Sequence, residues 1–340
     1  MRRLLFDRPG IVRWEEVDAP SLDDPDAALV RAVAVALCDL DVAALQGRYP
    51  VPGPYPLGHE GVAEVVEIGD DVTAVAPGDL VVVPFQISCG RCESCRRGRT
   101  GNCAAHPMMS TYGLGPMGGL EWGGLLGDLT RVPHADAMLV PVPTGIEPAA
   151  IASVSDNVAD GWRCVAPQLS AAPGADVLVV GGPHGPRSIG LYATGLAVAL
   201  GAGRVVYLDD DVDRLRIAEA LGAEVQEGSP PRKSGRFEIT VDASGTEAGL
   251  GCALNSTAPD GWCTSPSVYL EPPHVPMLEM YSRCCTLHTG RAHVRPAIPP
   301  ILGLVTEGFD PSLVTSATVD WEDAEAALAD PPMKLVLQRP

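Results

Sequence analysis

The sequence predicts an α/β protein in two parts, a β-rich amino-terminal half and a doubly wound parallel sheet that begins near residue 170. Three observations predict it. The chain has 340 residues, enough for two domains of ordinary size. Its 37 Gly and 33 Pro imply many turns between short elements, yet stay below the level that signals disorder. From Ala171 onward, short apolar runs alternate with helical repeats, as strand–helix–strand units do.

Composition excludes several functions. Asp and Glu outnumber Lys and Arg 43 to 24, for a formal net charge of −19. A chain this acidic lacks the basic face that binds phosphate backbones, and it fits anionic membranes badly. No apolar run reaches the roughly 18 residues of a membrane-spanning helix; Ala27 to Cys38 is too short and contains Arg31. The amino terminus lacks the apolar core of a signal peptide. The expectation is a cytoplasmic protein acting on small molecules, with no nucleic acid or membrane partner. Only Lys233 and Lys334 are lysines, which reads as coding bias.

The first informative element is the apolar run Ala32-Val-Ala-Val-Ala-Leu37, which ends in Cys38-Asp39-Leu40-Asp41. Pro56-Leu57-Gly58-His59-Glu60 follows, and the alternation after Gly61 reads as a strand with His59 and Glu60 at its mouth. Next come Cys89, Cys92, Cys95 and Cys103, four of the ten cysteines within 15 residues. Two Cys-x-x-Cys steps let one tight loop aim three sulfurs at a point, and Gly98 and Gly101 let the chain return with the fourth. This is tetrahedral zinc chemistry, and four Cys leave no open position, so the site is structural. Arg91, Arg96, Arg97 and Arg99 could offset its negative charge. Cys164, Cys252, Cys263, Cys284 and Cys285 read as small buried hydrophobes.

In the second half, Ala175-Asp-Val-Leu-Val-Val180 reads as a buried strand and Ser188 to Leu200 as a helix. Between them lies a glycine loop with Gly181, Gly182 and Gly185, and Gly190 falls in the first turn of the helix. Such a loop cradles pyrophosphate at a helix N-terminus. The fingerprint is imperfect: the loop is about four residues longer than the usual Gly-x-Gly-x-x-Gly loop, and Arg187 stands where the middle glycine would fall. Ser188 and Ile189 open the helix beside it. Asp209, 19 residues after Gly190, ends the next strand, Gly203 to Leu208. An acidic residue there binds the adenosine ribose and favours NAD over NADP. Arg187 or Arg214 could soften that preference, and Asp209–Asp211 could instead be a solvated acidic turn.

Cys-x-x-Asp at 38–41, Gly58-His59-Glu60, the four-Cys lobe, Val75-Ala-Pro-Gly-Asp79 and Ser153-Val-Ser-Asp156-Asn-Val-Ala-Asp-Gly161 together resemble the zinc-dependent medium-chain alcohol dehydrogenases. The likeness covers essentially the whole chain. It implies a GroES-like catalytic domain at 1–157 with the zinc lobe at 86–106, a Rossmann coenzyme domain at 158–290, and a return to the catalytic domain at 291–340. It implies a catalytic zinc held by Cys38, His59 and Asp156, with Glu60 as an exchangeable fourth ligand or outer carboxylate and Asp41 as the hydrogen-bond partner of His59. Asp156 could alternatively cap the helix that follows. The charges are coherent: Cys⁻ and Asp⁻ neutralise Zn²⁺, and three protein ligands leave a position for alcohol or carbonyl. The resemblance further implies two Zn²⁺ per chain, NAD in preference to NADP, an alcohol or carbonyl substrate and a homodimer or homotetramer.

The chain departs from the family at one place. Members usually carry Ser or Thr two residues after the first zinc Cys, and here that position is Leu40, which relays no proton. Asp39 would repel pyrophosphate, and Ala43 replaces the relay His of some relatives. Two alternatives follow: a reductase of C=N or C=C bonds that needs no such relay, or a non-catalytic nucleotide-binding protein with structural zinc only. The glycine-rich loop from Tyr112 to Trp122 is expected to line the substrate pocket with Trp122 and Tyr49, or to be loop packing alone.

Overall fold

A computed structural model describes residues 1–340. Its strands, in chain order, are β1 (Arg2–Arg8), β2 (Ile11–Glu16), β3 (Ala28–Ala36), β4 (Tyr55–Pro56), β5 (Glu60–Ile68), β6 (Leu80–Val83), β7 (Thr130–Val132), β8 (Val140–Pro141), β9 (Val177–Val180), β10 (Val205–Asp209), β11 (Glu224–Glu227), β12 (Phe237–Asp242), β13 (Thr257–Ser265), β14 (Thr286–Thr289), β15 (Ala317–Asp320) and β16 (Leu335–Gln338). The chain divides into two units. The first comprises 1–159, 293–308 and 315–340; the second comprises 160–292 and 309–314. The tail therefore does not return wholly to the first unit. Phe309 is buried and lies within reach of Gly195 in the second, which holds the 309–314 segment there.

The first unit is built on the sheet β15-β16-β3-β5-β6-β8, with β7 also paired to β3 and a smaller sheet β2-β1-β4. β3 explains its apolar run: only Arg31 is exposed, as in a central strand covered on both faces. Its alanines at 34 and 36 pack with Ala152 and Val336. The main core gathers Val30, Val35, Leu37, Val65, Trp321 and Leu337. The antiparallel register pairs Ala36 with Glu60 and Val35 with Gly61, which brings Cys38 and His59 together at one end of the β3–β5 pair. On the other side of β3, Val336 pairs with Ala36, and Leu37 donates its N–H to the Leu335 carbonyl at 2.9 Å. That register delivers the last strand to the same end.

The second unit is a six-stranded sheet in the order β11-β10-β9-β12-β13-β14, and every pairing is parallel. β9 lies between β10 and β12, so the strand order reverses there. In open sheets of this kind ligands bind beyond the carboxyl ends of the strands at that switch point. All four residues of β9 are fully buried, as a strand covered on both faces requires. No helix is long and apolar enough to cross a membrane.

Candidate active site

The chain gathers two metal-ligand clusters. The first comprises Cys38, His59, Glu60 and Asp156, all buried, with ligand atoms within 4.8 Å of one another. Cys38 ends the run of β3 and caps the helix Asp39–Leu45, its sulfur accepting the Leu40 N–H at 3.5 Å. Asp156 arrives by a different route. The turn Ala152–Ser155 is pinned to β5 by the Gly61 N–H, which donates to Ser155 Oγ at 2.7 Å. Asp156 follows it directly and places Oδ2 3.4 Å from His59 Nε2. Ligands of a tetrahedral zinc at ~2.0–2.1 Å stand roughly 3.3 Å apart, so this pair has the separation of two ligands of one ion. Asp41 lies on the other side of the ring, Oδ2 3.5 Å from His59 Nδ1, and accepts the Cys38 N–H at 3.2 Å.

The electrostatics call for a cation. Neither ring nitrogen of His59 has a hydrogen-bond partner, and neither has Glu60 Oε1, though all are buried. Burial, together with the neighbouring carboxylates of Asp156, Glu60 and Asp41, pushes the Cys38 thiol well up. Burial pushes Glu60 up to about 7 against the pull of Lys334. Burial opposes a charge on His59, but Asp41, Asp156 and Glu60 outweigh it and push its pKa up to about 9. A thiol, an imidazole and carboxylates held this close and this dry fit a borderline-soft divalent ion, as zinc is.

Two residues of this centre escape a reading of the sequence. Lys334, fully buried, precedes β16 and donates from Nζ to Glu60 Oε2 at 2.7 Å, to the Leu37 carbonyl at 2.8 Å and to Asn157 Oδ1 at 2.8 Å. Asn157 opens the helix Asn157–Ala171 and donates from Nδ2 to Cys38 Sγ at 3.2 Å and to Asp156 Oδ2 at 3.1 Å. The one available signal was a lysine in a chain whose cations are otherwise almost all arginine.

The second cluster is Cys89, Cys92, Cys95 and Cys103. The helix Glu93–Arg96 starts at Cys92, and backbone N–H groups point at the sulfurs: Cys95 N and Ala104 N approach Cys92 Sγ at 3.5 and 3.4 Å. Those two donors push the Cys92 pKa down to about 6, whereas burial pushes Cys95 and Cys103 up. Cys92 and Cys103 sulfurs stand 4.0 Å apart, close to the roughly 3.8 Å expected around an ion with ~2.3 Å Zn–S bonds.

In the second unit the glycine loop lies against the strand ends. A Cβ on Gly181 would sit 2.1 Å from Asp209 Oδ2, and one on Gly185 would sit 2.0 Å from the Ala243 carbonyl, so both positions exclude a side chain. Gly182 and Gly190 are buried beside them. The helix runs Arg187–Ala199 with Pro186 at its cap and no capping side chain; Ser188 and Ile189 are buried in its first turn and Arg187 is half-buried. Asp209 ends β10 as expected, but its carboxylate is already engaged. It accepts from Arg214 Nε and Nη2 at 2.7 and 2.6 Å, from the Tyr207 hydroxyl at 2.8 Å and from Asp211 N at 3.1 Å. Burial opposes its charge, but Arg214 overcomes this and holds Asp209 below the usual carboxylate value.

The glycine-rich loop is anchored in the first unit. The Tyr49 hydroxyl donates to Met117 Sδ at 3.5 Å, and Trp122 packs edge-on to His106 with ring centres 5.3 Å apart. His106 Nε2 meets His134 Nε2 at 2.9 Å, and His134 Nδ1 meets Asp26 at 2.8 Å, a chain that no sequence motif announces.

Residues 24–144 match the family model of the alcohol dehydrogenase GroES-like domain. The chain is 32% identical over 338 residues to a probable zinc-binding alcohol dehydrogenase of Mycobacterium tuberculosis, covering 97% of this chain and 85% of that one. It is 33% identical over 275 residues to the formaldehyde dismutase of Pseudomonas putida, covering 74% of this chain and 67% of that one. An alcohol dehydrogenase from Thermus sp. ATN1 superposes with a TM-score of 0.89 at 29% identity, over 100% of both chains. Likeness at this length, in sequence and in fold, places the chain in the zinc-dependent medium-chain alcohol dehydrogenase family.

Proposed function

We propose that the chain moves a hydride between NAD(H) and an alcohol or carbonyl carbon whose oxygen is held by a zinc on Cys38, His59 and Asp156. The observation that carries this reading is the buried cluster in which both nitrogens of His59 lack partners amid three carboxylates and a thiol. Zinc bound there would polarise a carbonyl and acidify an alcohol. The chain's own residues do the rest. Lys334 offsets the charge of Glu60 and leaves Oε1 without a partner. With Leu40 in place of a hydroxyl, Glu60 Oε1 is the group that takes the substrate proton.

The four cysteines of the lobe hold a second, structural zinc. The glycine loop and the uncapped start of the helix Arg187–Ala199 take the pyrophosphate. NAD is preferred to NADP, and the pairing of Asp209 with Arg214 weakens the discrimination, because a 2′-phosphate meets a neutralised carboxylate. The chain pairs with a second copy of itself along the outer edge of β14. Val268, Leu270, Met277, Leu278 and Tyr281, in the segment between β13 and β14, are exposed apolar side chains that such a pairing could cover.

Elemental analysis of gently purified protein, followed by alcohol oxidation with NAD⁺, tests the reading. Two zincs per chain and turnover of alcohols are expected. One zinc, retained by Cys38→Ser and lost in Cys92→Ser, would overturn the catalytic zinc. Leu40 supports a second reading, reduction of C=N or C=C bonds. Turnover of unsaturated substrates but not of alcohols would establish it instead.

A further inference from the structure

We infer that Asn157 is a positioning residue that clamps the two anionic ligands of the metal centre and weakens the donor strength of the Cys38 thiolate, with Lys334 fixing its orientation. The inference rests on the reading of Cys38, His59 and Asp156 as metal ligands. The argument begins with what each group can do. An ammonium only donates, so the atom Asn157 turns toward Lys334 Nζ at 2.8 Å must be its carbonyl oxygen. The amide then has no choice at its other end. Nδ2 faces Cys38 Sγ at 3.2 Å and Asp156 Oδ2 at 3.1 Å, and it carries two protons, one for each.

Both acceptors belong to ligands, and they come from segments far apart in the chain. Cys38 follows a strand and Asp156 follows a turn, and Asn157, 119 residues from Cys38 in the chain, ties one to the other. The amide does more than hold them. A hydrogen bond to a thiolate draws electron density from sulfur, so a metal bound to it keeps more positive charge. Lys334 completes the arrangement. Its three donors go to Leu37, Glu60 and Asn157, and with no donor left over its charge is committed to this centre. Cys38, Asp156, Glu60 and Asp41 would carry four negative charges when ionised, against two on zinc. Lys334 supplies the third positive charge, and Asn157 carries its polarisation to the sulfur. Partners of this kind behind a ligand typically change metal affinity or activity by about 10–100-fold when removed.

The test uses protein carrying zinc in the four-Cys lobe and cobalt in the Cys38/His59/Asp156 site, one of each per chain by elemental analysis. The thiolate-to-cobalt charge-transfer band reports the donor strength of Cys38. Asn157→Leu is expected to move the band to longer wavelength and to lower kcat about 10–100-fold at full metal occupancy. Lys334→Met is expected to move it the same way, the double variant no further, and Lys334→Arg to restore it. A fully loaded Asn157→Leu protein with an unmoved band would overturn the role of Asn157, even if its stability fell. Asn157→Asp gives a second reading should the leucine variant fail to fold: it keeps the acceptor for Lys334, removes the donor and is expected to show the same band shift. Wild-type protein that holds no metal at this site overturns the metal reading itself, a separate outcome.

Discussion

Replacing Arg214 by Met removes one partner of a buried ion pair and leaves the other in place. Asp209 has a fully buried side chain and Arg214 one that is 7% exposed, and the guanidinium donates to both carboxylate oxygens. Hydrogen bonds to a charged group contribute about 1.5–3 kcal/mol each. Losing two, with Tyr207 and Asp211 still donating, gives an expected loss of about 3–5 kcal/mol, the range for a buried pair broken on one side. That is a large share of the roughly 5–15 kcal/mol that holds a domain. Urea unfolding of wild type, Arg214→Met and Arg214→Met/Asp209→Asn measures it. The double variant should regain at least half the loss, because Asn leaves no bare charge. The pH dependence has a definite sign. In wild type Asp209 sits below its usual value, so its stabilisation is present above about pH 4 and fades as the pH falls through the folded pKa. In Arg214→Met burial is opposed only by the Tyr207 and Asp211 donors, so the carboxyl rises and the deficit should shrink as the pH falls. A loss under about 1 kcal/mol, or a double variant no better than the single, would refute the buried pairing.

Four further outcomes are expected. Gly185→Ala drives a Cβ into the Ala243 carbonyl, so the loop must shift and NADH affinity by fluorescence titration should fall. Cys92→Ser should lose one metal per chain and unfold at lower temperature, since metal binding in such a lobe is folding free energy. Trp321→Ala empties a fully buried site stacked on Arg339 at 4.2 Å and should cost about 3–5 kcal/mol in urea. Burial, with His134 and Arg91 nearby, holds His106 below the usual histidine value, so the fold favours its neutral form. Its contribution is present above about pH 6.5 and is lost as the pH falls through the folded value. His106→Gln should flatten the thermal midpoint between pH 7 and 5, and an unchanged slope would count against the histidine pair.

What could be read in the sequence was local. The four-Cys lobe closes within 15 residues, and the glycine loop, its strand and its helix are contiguous. Cys38 and His59 were legible because an apolar run ends at the first and an alternating strand begins after the second. What escaped depends on pairing at a distance. Lys334 reaches Glu60 only because β16 lies beside β3, and nothing near residue 334 signals that neighbour. The reading of its scarcity as coding bias missed a lysine whose three donors all have partners. Asp209 was placed at the end of its strand correctly, but its carboxylate is not free. Arg214 stands five residues on, in the first turn of the helix Val212–Ala220, and its backward reach was in principle readable from helical geometry. The His106–His134 contact joins a loop to a strand end 28 residues later, with no periodicity to betray it.

The placement of Lys334 gives the centre a history in time. Leu37, Cys38 and His59 leave the ribosome early, and the lysine that balances their neighbours follows almost three hundred residues later. At about 5–20 residues per second that interval is roughly 15–60 seconds. For its whole duration the nascent chain carries the acidic half of the centre without its counter-charge. A protein released short of residue 334 would be trapped in that condition. The counter-charge of Glu60 and the orientation of Asn157 thus wait on a residue made long after the groups they serve.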